Sequence, residues 1–398
     1  MNTLELTATT GTLLGHGKGL LAMDESVATC YARFAQAGIP RTPELRHAYR
    51  EWLVDTPGLG DFISGAVLHD ETIRQHTADG TPLVQLLAEA GIVTGIKVDA
   101  GTHDLAAFPG ESVTAGLDGL RERLAEYRRL GARFAKWRAV IVIGDSLPTG
   151  GCIQANAHAL ARYAALCQEA GLVPMVEPEV LMDGDHTLQR CGQVTEDVLR
   201  TVFHQLHAQR VALEGVILKP NMVLPGSTCP KDEPVGTVAN ATVTALLRTV
   251  PAAVAGIAFL SGGQSGEEAS AHLNAMHTPD RSPVPWPLTF SFARAIQQPA
   301  LEIWHGETAR VPAAQQALLH RARCDAAARR GEYTGEEGAD QPTPSRVALD
   351  TQSVHAAAGA PADTTGRDAN KKVPTVDIAT GASVSRLEHD RGVAPTGA

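Results

Sequence analysis

Three pairs of ionic residues recur at i, i+2 spacing: Lys97 with Asp99, Lys136 with Arg138, and Glu177 with Glu179. Each pair closes an apolar run, and Asp24, Lys219, Arg294 and Ser261 with its glycines end similar runs. If the runs are strands, alternate residues share a face, so each pair puts two charged groups on one side of its strand. One pair alone reads as a solvated strand end, the usual place for Lys, Glu and Asp. Their recurrence favours a shared pocket, in which the cations hold an anionic substrate and the carboxylates move protons.

Lys219 ends the run LEGVILKPNMV (213–223), and Pro220 cuts the run off. A lysine amine is a nucleophile only when neutral, and burial behind an apolar strand with Lys136 and Arg138 nearby disfavours an ammonium. That is the environment of a Schiff-base lysine. An interior ion pair of Lys219 with Glu177 or Glu179 accounts for the same residues, since structural ion pairs are also built this way. In FLSGGQSGEEAS (259–270), a strand enters Gly262 and Gly263 and a helix begins near Gln264. Backbone amides there suit a phosphate, with Arg294 as a planar fork for the same group. The histidines form no HExxH, and pairs such as His204 with His207 or His69 with His76 read as helix surface or loop, so no metal site and no cofactor are expected.

These residues need elements to position them. Apolar runs of strand length lie at 19–26, 63–71, 94–101, 132–141, 172–180, 215–223, 256–263 and 288–296. Segments of helical period, including 42–54, 81–91, 117–131 and 156–171, lie between them, and several open on Thr or Asn and close on Gly. About eight strand-plus-helix units predict a single-domain (β/α)8 TIM barrel over 1–336, with the charged residues at the C-terminal strand ends where such barrels build their sites. An open doubly wound sheet is the rival, but no GxGxxG follows the first strand and no Walker A loop is present. Residues 337–398 are rich in Ala, Gly, Thr, Asp and Pro without an aromatic residue, which predicts a mobile tail.

The chain has 398 residues, 43% of them hydrophobic, enough for a sizeable core. A formal net charge of -10 gives no general attraction to nucleic acid or to an anionic membrane. The N-terminus lacks the pattern of a signal peptide and no apolar run is of membrane-spanning length, so the expectation is a soluble cytoplasmic protein. Six scattered cysteines without a CxxC pair fit buried thiols in a reducing compartment.

Taken together, LAMDES (21–26), GIKVDAG (95–101), FAKWR (134–138), VPMVEPE (173–179), LEGVILKPNMV (213–223), FLSGGQS (259–265) and LTFSFARA (288–295) resemble the class I fructose-bisphosphate aldolases, from about residue 4 to 335. The resemblance implies reversible cleavage of fructose 1,6-bisphosphate to dihydroxyacetone phosphate and glyceraldehyde 3-phosphate, in glycolysis or gluconeogenesis, through an iminium on Lys219. It assigns Asp24 to the C4 hydroxyl proton, Glu177 to dehydration of the carbinolamine, and Glu179 to holding Lys219 and its neighbours. Lys136 and Arg138 would orient the substrate. Ser261, Gly262 and Arg294 would hold the C1 phosphate, with Ser26, Thr29, Arg33 and Lys97 toward the C6 end. The family is usually a homotetramer.

The chain departs from the family in two places. The family's DES-T-G-S pattern reads DESVAT here, with Val27 and Ala28 in place of Thr and Gly. Animal and plant members end in a tyrosine that assists proton exchange on the enamine, whereas this chain ends VAPTGA and its last tyrosine is Tyr333. Other Schiff-base barrels, such as transaldolase or deoxyribose-phosphate aldolase, also hide a lysine at a strand end, but the paired phosphate groups argue against them. A non-catalytic scaffold would be expected to have lost one of Asp24, Glu177, Lys219 or Arg294, and all are present.

Overall fold

The computed structural model describes residues 3–278 and 283–335. Eight parallel strands close into a barrel: β1 (Gly19–Met23), β2 (Ile63–Leu68), β3 (Val93–Lys97), β4 (Phe134–Ile141), β5 (Val173–Val180), β6 (Ile217–Leu218), β7 (Gly256–Phe259) and β8 (Leu288–Phe292). Each strand pairs with the next in sequence, and closure comes from β1 against β8, with Leu20 opposite Ser291. The open-sheet alternative is therefore excluded. A small antiparallel hairpin, Thr102–Asp104 with Ser112–Thr114, stands outside the barrel between β3 and β4. The proposed tail at 337–398 lies outside the described residues.

Period-2 alternation gives the lumen two different ends. Leu20, Val67, Phe134, Val173, Met175, Ile217 and Ala258 form one buried cluster with Leu6, Leu13 and Leu14 of the first helix, Thr3–Leu14. That helix plugs the N-terminal mouth. Counting on by twos, Leu20 leads to Asp24, Phe134 to Lys136 and Arg138, Met175 to Glu177 and Glu179, and Ile217 to Lys219. An apolar floor thus carries an ionic upper layer. The larger apolar cluster lies between the outside of the barrel and the surrounding helices, where Trp137, Tyr163 and Trp304 are fully buried.

Helix bounds follow local capping chemistry. Thr42 accepts from the Leu45 amide at 3.2 Å and opens Pro43–Val54. The segment expected at 156–171 begins earlier, at Gly150, because Thr149 caps Gly150–Glu169 by accepting from the Cys152 amide. The segments at 81–91 and 117–131 are trimmed to Leu83–Glu89 and Leu120–Arg129.

Several strands are shorter than the apolar runs. β6 is only Ile217–Leu218: the Lys219 amide still donates to the Val176 carbonyl at 2.8 Å, and Pro220 then has no N–H to continue the ladder. Asp24, Asp99 and Ser261 lie just past their strands. Arg294 corrects the sequence expectation, since β8 stops at Phe292 and Arg294 starts the helix Arg294–Trp304. The Ile296 and Gln297 amides there bond back to the Ala293 carbonyl.

The floor packs tightly enough to dictate glycine. A Cβ on Gly95 would stand 2.2 Å from the Phe134 ring. Gly95→Ala is expected to cost about 1–3 kcal/mol by overpacking. Adding Phe134→Leu should recover part of that loss. Denaturant unfolding of both single variants and the double variant checks the coupling, and simple additivity would contradict it.

Candidate active site

Glu177 is the junction of the ionic layer. Its Oε1 lies 3.1 Å from Lys219 Nζ and its Oε2 lies 2.9 Å from Lys136 Nζ. Lys136 also donates to Asp24 Oδ2 at 2.8 Å. Four charged groups from β4, β5 and the ends of β1 and β6 thus form one chain, Asp24–Lys136–Glu177–Lys219, each 6% exposed or less. The strand register supports this, with Arg138 opposite Glu177 and Met175 opposite Ile217.

Burial would raise the Asp24 carboxyl, but Lys136 and then Lys219 pull it well below the usual carboxylate range. Burial likewise opposes ionisation of Glu177, and Lys136 and Lys219 overcome it, so that carboxyl is also lowered. For Lys136, burial disfavours the ammonium, whereas Asp24 and Glu177 hold it above the ordinary lysine range. Lys136 is therefore a committed cation. Glu177 Oε2 meets no aligned hydrogen-bond donor among the described residues despite its proximity to Lys136. A buried carboxylate oxygen with spare accepting capacity is a place to put a proton.

The sequence expectation for Glu179 needs correction. Glu179 pairs with the Arg138 side chain, while the carboxylate beside Lys219 is that of Glu177. One β5 carboxylate therefore serves each pair of cations. Arg138 remains 41% exposed at the mouth.

Around this chain the other candidates fall into adjoining groups. Lys97 donates to Asp99 Oδ1 at 2.5 Å, and Asp99 also accepts from the Gly101 and Arg138 amides. Ser26 caps the helix Val27–Gln36 by accepting from the Thr29 amide at 3.2 Å, with the Thr29 hydroxyl 3.0 Å away. The altered residues Val27 and Ala28 thus leave a capped helix N-terminus facing the mouth. Arg33 is buried, pairs with Glu25, and donates to Gln297 Oε1 at 2.9 Å and Tyr49 Oη at 3.2 Å. Its Nε has no partner among the described residues.

Gly262 and Gly263 have φ of 58° and 94°, the left-handed region that glycine adopts without strain. No backbone acceptor for either amide occurs among the described residues. Ser261 sits beside them, its carbonyl accepting from the Gln264 amide and side chain. Arg294 NH2 would stand 3.9 Å from a Cβ on Gly263. Arg294 has no carboxylate within ion-pair distance among the described residues, and burial followed by the guanidiniums of Arg33 and Arg138 lowers it from the ordinary arginine range. An arginine fork beside two freed amides is suited to a phosphate.

Sequence reasoning missed the support beneath these groups. Glu25 holds both Arg33 and Arg50, the latter at 2.6 Å, and Gln297 ties Arg33 and Tyr49 to the Ala22 carbonyl of β1. Glu25 stands next to Asp24 in the chain, and alternation puts it on the opposite face, where long-range partners set its role. No group of three or more His, Cys, Asp or Glu side chains among the described residues is arranged for a metal ion. No helix there is long and apolar enough to cross a membrane.

Comparison with known proteins gives matches over most of the chain. The family model described as fructose-bisphosphate aldolase class-I matches residues 5–351. A probable fructose-bisphosphate aldolase class 1 of Xanthomonas campestris is 54% identical over 84% of this chain and all of that relative. The cytosolic fructose-bisphosphate aldolase 5 of Arabidopsis thaliana is 52% identical over 84% of this chain and 93% of its own length. Among solved structures, a fructose-bisphosphate aldolase from Plasmodium falciparum, in complex with TRAP and a small-molecule inhibitor, is 46% identical, covers 83% of this chain and 96% of its own, and superposes with a TM-score of 0.82.

The buried carboxylates make acid stability a direct readout. Asp24 titrates below its unfolded value, so its contribution is present above about pH 4 and is lost as pH falls through the lowered folded value. Asp24→Asn should therefore destabilise the protein most at neutral pH. The difference from the unaltered protein should shrink on acidification, as followed by urea unfolding across pH. A difference that stayed constant with pH would contradict the assignment.

Proposed function

Because the chain belongs to the class-I fructose-bisphosphate aldolase family, we propose that it reversibly cleaves fructose 1,6-bisphosphate to dihydroxyacetone phosphate and glyceraldehyde 3-phosphate, with Lys219 as the Schiff-base nucleophile. The observation that carries the residue assignment is Glu177, set between Lys219 and the committed cation Lys136.

A proton passed from Lys219 to Glu177 yields the two species that the first step needs, a free amine and a carboxylic acid. The amine adds to the C2 ketone, and a proton moves from nitrogen to oxygen to give the carbinolamine. Glu177 then protonates the departing hydroxyl, water leaves, and an iminium remains on Lys219 with Glu177 again a carboxylate. Asp24, ionised in the resting site, takes the C4 hydroxyl proton. The C3–C4 bond breaks, its electrons flow to the iminium nitrogen, and the aldehyde departs from an enamine. Protonation at C3 and hydrolysis release the ketone half.

In this reading Lys136 fixes Asp24 and Glu177 in their accepting states and, with Arg138, orients the substrate. Glu179 holds Arg138. Ser261, Gly262 and Arg294 take the C1 phosphate, and Ser26, Thr29, Lys97 and Arg33 lie toward the C6 phosphate. Arg33 also bears electrostatically on Arg294. We extend the reading to a cytoplasmic homotetramer, in keeping with the cytosolic relative from Arabidopsis and the family resemblance, working in glycolysis or gluconeogenesis. In this reading the catalytic domain spans residues 1–336.

Lys219→Arg should leave the folded structure intact by circular dichroism while turnover falls roughly 10⁴-fold or more, since arginine keeps the charge but does not act as an amine. Ordinary activity would remove Lys219 from the mechanism. Glu177→Gln should bind substrate and turn over roughly 10²–10⁴-fold more slowly, with a covalent intermediate accumulating.

A further inference from the structure

We infer that His69, so far without a role, is a specificity-determining residue whose imidazole Nε2–H donates a hydrogen bond to the half of the substrate that departs as the aldehyde. The inference rests on the aldolase reading of the site and adds a contact that the sequence candidates do not include.

Strand parity comes first. Val67 belongs to the lumen cluster, and a Cβ on Gly65 would meet Leu13, Leu20 and Phe134 inside the barrel. His69, two residues beyond Val67, takes the same face at the C-terminal end of β2. Register then supplies its neighbours. Ala22 pairs with Val67 and Met23 with Leu68, so the next step sets Asp24 beside His69. Leu68 pairs with Ile96, which sets Lys97 on the other side. His69 therefore stands between the proposed base for the C4 hydroxyl and a cation of the C6 end, facing the aldehyde half.

The ring is oriented and only half buried. Its Nδ1 accepts from the Glu71 amide at 3.4 Å, which leaves the proton of the neutral imidazole on Nε2. No acceptor for Nε2 occurs among the described residues. Nε2 is not among the buried polar atoms without a partner, so this donor is open to the site, where a substrate group can reach it. The charged groups around it are Asp24 from the end of β1, Lys97 from β3, Arg50 from helix Pro43–Val54, and Glu71 from its own loop. Burial, then Arg50 and Lys97, disfavour protonation more than Asp24 and Glu71 favour it, so the ring stays below the ordinary histidine range and is neutral at pH 7.

The test uses His69→Phe, which keeps an aromatic ring without the donor, and His69→Gln, whose amide nitrogen restores a donor near Nε2. With fructose 1,6-bisphosphate, kcat/KM should fall roughly tenfold in His69→Phe and recover in part in His69→Gln, the scale of one neutral hydrogen bond. As pH falls, His69 takes a proton on Nδ1 and loses its contact from Glu71, so the unaltered enzyme should show an acid limb that both variants lack. Calorimetric binding of dihydroxyacetone phosphate should be equal in all three proteins, because the ketone half stops short of His69. Unchanged kcat/KM with superimposable pH profiles would overturn the inference, and so would a loss of dihydroxyacetone phosphate binding in the variants. If His69→Phe fails to fold, the pH profile of His69→Gln decides. Failure of the unaltered protein to bind dihydroxyacetone phosphate would instead count against the aldolase reading itself.

Discussion

The site depends on one carboxylate placed between two lysines. Removing charges from water costs several kcal/mol per ion, and a buried ion pair often contributes little net stability compared with apolar residues of the same volume. Asp24, Lys136, Glu177 and Lys219 are nonetheless almost wholly enclosed. The arrangement is tolerable because the charges are linked in alternating sign, so each ion has an opposite neighbour. Breaking one link strands the rest, at a cost of about 3–5 kcal/mol for a buried pair that loses a partner. In the proposed mechanism the return is that protons move within the chain without first reorganising water.

The barrel makes this possible by dividing its lumen. A floor of Leu20, Val67, Phe134, Met175 and Ile217, closed by the first helix, keeps water away from the lower half. Alternation then delivers ionic residues from several strands to one level above it. The short β6 matters for the same reason, because Pro220 has no N–H to donate after Lys219 and the lysine is left at the boundary between floor and mouth. Gly95 lets the Phe134 ring fill the floor beside β3. The apolar floor and the ionic layer are therefore two parts of one packing solution.

Much of this was legible from spacing. Period 2 placed Lys136 with Arg138 and Glu177 with Glu179 on common faces, and the succession of apolar runs and helical segments pointed to a barrel. Partnership across strands was not legible, because it depends on register and shear. The sequence alone did not tell which of Glu177 and Glu179 meets Lys219, and the division of labour between them came from the barrel geometry. Arg294 read as a strand end, whereas the chain turns into a helix at Ala293. Glu25 and Gln297 were missed because their partners lie far along the chain on other elements, where local period carries no information. His69 continues the inward parity of β2, but its neighbours on β1 and β3 emerge only from register.

The most direct test is borohydride reduction of the protein in the presence of dihydroxyacetone phosphate and a metal chelator, followed by peptide mass mapping. The account predicts a single reduced adduct on Lys219, with none on Lys136, whose ammonium is held by two carboxylates. An adduct on Lys136, or no adduct on protein shown to be folded, would contradict it.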